Sequence, residues 1–167
     1  MTYDELIQYH AEKYGLSFEE AEQQLNPDGK MPKVQTRSTT STSYRVLSVT
    51  LNVSSTYKPK LEFYVVTDNW SSYWVIDHIY HIAMVRSYNG TSKQFAGNVT
   101  CWYRGNNKIE YTVNGDFYNN TTGTAGVEVN IGAGKSVTVS FSAKSSSNHY
   151  KYFYVHNTKT WSGNGNV

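Results

Sequence analysis

The chain has 167 residues, a length that suits one domain with a small appendage and is too short for two full hydrophobic cores. Charged residues make up only 17%, whereas aromatic residues make up 15% and include 15 Tyr and 4 Trp, so solubility rests mainly on hydroxyl and amide groups. The net charge of +2 includes no run of adjacent Lys and Arg that would favour nucleic acid, and no apolar run approaches the 18 residues of a membrane span.

Residues 1–29 predict a small helical hairpin with an acidic surface. Seven acids and two lysines fall within residues 1–30, whereas the rest of the chain has thirteen Lys or Arg and six acids. Gly15 ends a first helix, and Ser17 with Glu20 forms the capping box of a second. The apolar face follows helical spacing and includes Tyr3, Leu6, Ile7, His10, Ala11 and Tyr14. Because this face is too small to be stable alone, we expect it to dock on the rest of the chain or on a neighbour.

Residues 30–43 are rich in Ser and Thr and predict a linker or an edge segment. Residues 44–167 then alternate apolar and polar side chains, which indicates strands joined by tight turns. The predicted strands are Tyr44–Ser54, Leu61–Thr67, Tyr73–Arg86, Phe95–Arg104, Lys108–Val113, Val127–Ile131, Val137–Ala143 and Tyr150–His156. Breaks are predicted at Asn89-Gly90, Asn114-Gly115-Asp116 and 145–148, among others.

The predicted fold class is mainly β, an antiparallel two-sheet β-sandwich of about eight strands preceded by the helical hairpin. A small barrel is the alternative, and the strand order stays open. The segment YWVIDHIYHIAMV is apolar on both faces and predicts a central strand covered on both sides.

Few residues suggest catalysis or metal binding. Asp77, His78 and His81 form the densest titratable cluster, but in a regular strand His78 and His81 face opposite ways and cannot share a metal ion. Cys101, the single cysteine, is expected to be a buried thiol. Glu62 paired with Glu110 or Asp116 would be the carboxylates of a glycan-processing enzyme, although no spacing favours this. We therefore predict no catalytic residues, no metal site and no cofactor.

Aromatic residues are the strongest functional candidates. The predicted binding residues lie on a turn before the long strand, on another strand and along one face of the last strand: Trp70, Tyr73, Trp74, Trp102, Tyr150, Tyr152 and Tyr154. Aromatic faces stack on sugar rings, and nearby Asn, Asp or Ser can bond sugar hydroxyls. The same residues suit a membrane interface, or cross-strand packing and protein contacts.

The acidic helical segment, with its phrase GLSFEEA from Gly15 to Ala21, precedes a Tyr- and Asn-rich β stretch, KQFAGNVTCWYRGNNKIEYTVNGDFYNN. In this combination of a helical segment and a β stretch, the chain resembles uncharacterised secreted or surface proteins of Gram-positive bacteria that join a short acidic helical prefix to a β domain. The resemblance implies an exported location and transfers no site residues.

The sequence thus favours an exported, non-enzymatic module, secreted or at the cell surface, whose signal peptide has been removed. It would contact a glycan, a cell wall or a surface protein. No nucleic-acid partner is predicted, and peripheral contact with a membrane is a further possibility. The alternative is a membrane-active toxin or bacteriocin-like protein that docks on bilayers through Tyr and Trp, and a third is a glycan-processing enzyme. The oligomeric state is not predicted.

Overall fold

The computed structural model describes residues 1–35, 42–119, 126–143 and 148–163. It is mainly β, with two helices and several antiparallel sheets, none of them closed. Residues 36–41 of the predicted linker or edge segment (30–43) and most of the predicted turn at 145–148 lie outside the described residues.

The two helices are α1 (Tyr3–Tyr14) and α2 (Phe18–Leu25). Capping boxes begin both: the Thr2 hydroxyl accepts from the Glu5 amide, and the Ser17 hydroxyl accepts from the Glu20 amide. Gly15 ends α1 in the left-handed conformation, with φ of 64°, which glycine adopts without steric cost. The predicted end of α1 at Gly15 and the predicted start of α2 at Ser17 are confirmed. Both were predictable from the sequence because they depend on local capping chemistry.

Within the described residues, ten strands follow the helices: β1 (Thr42–Thr50), β2 (Lys60–Trp70), β3 (Tyr73–Val85), β4 (Ser87–Tyr88), β5 (Thr91–Ser92), β6 (Gln94–Gly105), β7 (Lys108–Tyr118), β8 (Gly126–Gly132), β9 (Ser136–Phe141) and β10 (His149–Thr160). Sheet I has the order β1-β2-β3-β8, and sheet II has the order β10-β7-β6-β9. All pairings are antiparallel, and β4 and β5 pair only with each other.

One hydrophobic cluster contains buried side chains from both sheets. Phe63 of β2 approaches Tyr111 of β7, with ring centroids 6.2 Å apart. The inner face of β6 contributes Val99, Cys101 and Tyr103, each at most 1% exposed. Thr100 and Trp102, which lie between them, therefore point away from this cluster, on the outer face of sheet II.

The helical hairpin packs on the outer face of sheet I. Leu6 and Ile7 of α1 and Leu25 of α2 are fully buried in a second cluster with Tyr64 of β2 and Ala83 of β3. Strand β3 lies between β2 and β8, with one face in each cluster, so the prediction of a central strand covered on both sides is confirmed.

Strand β3 departs from regular alternation. Its pairing with β2 shifts register twice, and the inward side chains Ile76, Ile79 and Ile82 are spaced by three residues instead of two. Such bulges place an extra residue between two inward positions. His78 stacks on Tyr80, which packs against the hairpin cluster, and His81 also lies against the hairpin. A regular strand would direct His78 and His81 to opposite faces, as expected from the sequence, but these bulges place both on the side of the hairpin.

Several predicted strand limits are wrong, those of β1 and β7 among them. Strand β1 ends at Thr50, and the next residues turn. Strand β7 runs through the predicted break at Asn114-Gly115-Asp116 as far as Tyr118. Gly115 lies opposite Gly97 of β6, where a Cβ on Gly115 would come within 2.5 Å of the Ala96 carbonyl oxygen. This glycine permits close approach of two strands and does not mark a turn.

Candidate functional site

The outer face of sheet II is a polar and aromatic surface, which we call the platform. Strict alternation directs side chains of β6, β7 and β10 outward, because the intervening residues fill the core. Its members are Asn98, Thr100, Trp102 and Arg104 of β6, Glu110, Thr112 and Asn114 of β7, Tyr152, Tyr154 and His156 of β10, and Thr138 and Ser140 of β9. No helix covers this face among the described residues, whereas the hairpin covers the corresponding face of sheet I.

At one end of the platform, Trp102 lies in a network of charged and polar groups. Its ring is nearly parallel to that of His156, at 20° with centroids 6.1 Å apart, and the Arg104 guanidinium is 5.5 Å from its centroid. Glu110 accepts from Arg104 Nε at 3.0 Å and lies 3.0 Å from His156 Nε2. The hydrogen bond from Arg104 is the main cause that lowers the pKa of Glu110. These contacts fix the position of the indole on the outer face of sheet II.

Farther along the platform, tyrosines stand beside side-chain amides. Tyr152 and Tyr154 are 53% and 55% exposed, so each presents about half of its ring to solvent. The Tyr152 hydroxyl donates to Asn114 Oδ1 at 2.6 Å, and Ser140 Oγ donates to Asn98 Oδ1 at 2.8 Å. Both amide oxygens accept a bond, which orients the two NH₂ groups, each carrying two donors. Exposed rings and oriented donors are therefore adjacent.

Tyr150 does not share this face, contrary to the sequence prediction. The pairing of β10 with β7 shifts register between His149 and Lys151, and the bulge turns the Tyr150 side chain toward the core cluster. Its hydroxyl lies 2.7 Å from Ser54 Oγ, and this hydrogen bond is the main cause that lowers its pKa. Lys93 Nζ lies 3.9 Å from the ring centroid. Tyr150 thus closes the edge of the core.

Trp74 is likewise absent from the exposed surface. It is 6% exposed and belongs to the core cluster, and the Arg45 guanidinium lies 4.5 Å from its ring centroid. Its backbone is fixed by two bonds, from Trp74 N to the Gly163 carbonyl and from Asn107 Nδ2 to the Trp74 carbonyl. A direct binding role for this ring would require the core to open.

Trp70 and Tyr73 form a separate surface at the tip of the β2–β3 hairpin. They are register partners, each 43% exposed, and their rings stack at 11° with centroids 4.8 Å apart. Only Ser71 and Ser72 separate them in sequence. The seven predicted binding residues are therefore divided: three on the platform, two at this tip and two turned inward.

The alternative catalytic residues are dispersed. Glu62 is buried beneath the hairpin on sheet I, where it contacts Lys13, whereas Glu110 and Asp116 belong to sheet II. The structure thus does not bring the proposed carboxylate pair together. Burial raises the pKa of the Cys101 thiol, which opposes thiolate formation. No group of three His, Cys, Asp or Glu residues suited to a metal ion occurs in the described part of the chain.

The polar members of the platform were not predicted as binding residues. Glu110, Thr112 and His156 form a chain of contacts, with Thr112 Oγ1 3.3 Å from His156 Nδ1. A usable signal was present, because Trp102 has polar residues at the alternate positions on both sides of it from Asn98 to Arg104, and polar residues occupy every second position from Glu110 to Asp116. Two neighbouring strands with polar outer stripes indicate one shared polar face.

No protein-family model matches the chain, and neither a curated protein nor a solved structure matches it. Neither described helix is long and apolar enough to cross a membrane.

Proposed function

We propose that this chain is an exported, non-enzymatic module, folded as a two-sheet antiparallel β-sandwich, that binds a glycan through the platform. The observation that carries the proposal is the position of Trp102, Tyr152 and Tyr154 on one exposed sheet face, beside oriented amides and hydroxyls. A sugar ring has an apolar face that stacks on an aromatic ring, and its hydroxyls need donors and acceptors at the rim. Both requirements are met on this surface.

The sandwich assignment is supported by the single core cluster that draws side chains from both four-stranded sheets. Export is supported by composition alone, by the few charges and the many hydroxyl and amide side chains. Fractionation of the native bacterium tests this part, and recovery from the medium or the cell wall is the expected result. Recovery only from the cytoplasm would contradict export.

A glycan array that includes cell-wall fragments tests the binding proposal. Wild-type protein should bind a subset of the glycans, and Trp102→Ala and Tyr154→Ala should each weaken that binding at least about tenfold, the equivalent of ~1.4 kcal/mol. Trp70→Ala is the matched control, because it removes an equally large exposed ring away from the platform. No binding across the array, or binding unchanged in both platform variants, would contradict the proposal.

A membrane-docking role is the second candidate, and the stacked pair Trp70 and Tyr73 favours it. Trp and Tyr concentrate at membrane interfaces, where an apolar ring body and a polar tip both find suitable surroundings. Co-sedimentation with neutral and anionic vesicles tests this role. Binding that is lost in Trp70→Ala and kept in Trp102→Ala would support it, and no binding to either vesicle would exclude it.

A further inference from the structure

The contact between the helical hairpin and sheet I contains two buried histidines that face each other. His10 of α1 is 1% exposed and His81 of β3 is 2% exposed. Their rings meet edge to face, at 86° with centroids 5.3 Å apart. Since one residue belongs to the hairpin and the other to the sheet, any repulsion between them acts directly against docking.

The hydrogen bonds of this pair suit neutral rings. His10 Nδ1 lies 2.9 Å from the Tyr64 hydroxyl, which can donate to it, and His10 Nε2 lies 2.9 Å from Gln24 Oε1, which can only accept. A neutral imidazole satisfies both bonds. Neither ring nitrogen of His81 has a hydrogen-bond partner within the part of the chain that the structure describes. The His81 ring lies against Gly126 of β8, where a Cβ would come within 2.5 Å of Nε2.

Among the described side chains, few charges lie where they could stabilise a protonated His10 or His81. Glu62 of β2 is the carboxylate that acts on His10, and it already contacts Lys13 of α1 at 2.9 Å and accepts from the Tyr9 hydroxyl at 2.7 Å. Within the described ranges of the chain, the other titratable groups packed around the pair are tyrosines from three elements: Tyr14 of α1, Tyr64 of β2 and Tyr80 of β3. Helix α2 contributes the uncharged Gln24, and the register partner of His81 on β8 is Glu128.

Burial lowers the pKa of both histidines, and for His81 burial together with the charge of His10 lowers the pKa to about 3 from 6.5. When the hairpin leaves the sheet, His81 becomes exposed and its pKa returns toward 6.5. The released form therefore binds protons first as the pH falls below 6.5, and docking weakens from there down to about pH 3. At about pH 4.5 this difference raises the equilibrium constant for release by about 100-fold through His81 alone.

We propose that the His10–His81 pair is an acid-sensitive latch, which releases the helical hairpin from sheet I in mildly acidic solution while sheet II stays folded. Release would uncover the apolar side chains beneath the hairpin, among them Tyr44, Tyr64 and Val66. The inference does not depend on glycan binding, because the platform lies on the other sheet.

Amide hydrogen exchange of the full chain, corrected for the intrinsic pH dependence of exchange, tests the latch. Between about pH 7.5 and about pH 4.5, protection of α1 and α2 should fall about 100-fold, while amides of β6 and β7 keep theirs. His81→Leu should reduce that fall at least about tenfold, because the uncharged side chain cannot bind a proton in the released form. His149→Leu removes an exposed histidine of β10 and should behave as wild type.

Three results would overturn the proposal: helices that keep full protection at about pH 4.5, loss of protection in both sheets together with the helices, or a His81→Leu variant with the wild-type pH dependence. If His81→Leu does not fold, a pH titration of the histidine Cε1–Hε1 resonances of the wild-type protein tests the proposal instead. A His81 signal that titrates near its ordinary value while both helices stay protected would show that the charged ring is tolerated in place.

Discussion

At the residue scale, the side chain of Asn107, in the turn of the β6–β7 hairpin, connects the two sheets. Its Oδ1 accepts from the Ile76 amide at 2.7 Å, and its Nδ2 donates to the Trp74 carbonyl at 3.0 Å, so one side chain joins the turn of sheet II to β3 of sheet I. Both Asn106 and Asn107 adopt positive φ, of 53° and 60°, as a tight two-residue hairpin turn requires.

Replacing Asn107 with Ala should destabilise the protein by about 2–4 kcal/mol, because two buried backbone groups lose their partners and the new residue keeps the left-handed strain. Asn106→Ala is the matched control, since Asn106 has the same backbone conformation and is exposed. It should cost about 1 kcal/mol from strain alone. Chemical denaturation measures both, and equal losses of stability would mean that the side-chain bonds contribute nothing.

At the element scale, the helical hairpin depends on sheet I for its stability. Two helices of 12 and 8 residues are too short to persist alone in water, so burial of Leu6, Ile7 and Leu25 against the sheet must supply what helix formation lacks. The acidic surface of this hairpin is consequently fixed to one face of the β portion.

Leu6→Ala should therefore loosen both helices before it affects sheet II. Removing a fully buried leucine side chain typically costs about 2–5 kcal/mol, and here the loss falls on docking. Hydrogen exchange should show faster opening of α1 and α2 with β6 and β7 unchanged. Gln8→Ala on the exposed side of α1 serves as control, with an expected change within about 0.5 kcal/mol. Equal loss of protection throughout both sheets would contradict hairpin-specific docking.

The limits of the helices were predictable from the sequence because they depend on local chemistry. The strands were less predictable because their register depends on pairing with distant residues. Gly15 and Ser17 mark the end of α1 and the start of α2, and the residues that decide these limits lie within four positions in the sequence. The bulges of β3 and β10 instead depend on the register with neighbouring strands, which are distant in sequence. The bulge at Tyr150 moved one predicted binding residue to the core, and Gly115 resembled a turn because its opposing glycine is invisible to a local pattern.

At the scale of the whole molecule, the two sheets differ in what their outer faces present. The hairpin covers much of sheet I, whereas sheet II presents the half-buried Trp102 and the exposed Tyr152 and Tyr154 among amides and hydroxyls. Counting aromatic residues in the sequence indicated a binding surface but could not assign faces, since Trp74 and Trp102 look equally accessible until both sheets are assembled. Trp74 is buried in the core cluster that both sheets share, and Arg45 of β1 contacts its ring.

Glycan binding by the platform is tested most directly by a nuclear magnetic resonance titration of the ¹⁵N-labelled chain with the oligosaccharide bound best on the array. The Trp102 indole N–H and backbone amides of β6, β7 and β10 should shift in proportion to occupancy, while Ser71, Ser72 and both helices stay unchanged. Shifts confined to the β2–β3 tip or to the hairpin, or no shifts at saturating sugar, would contradict the account.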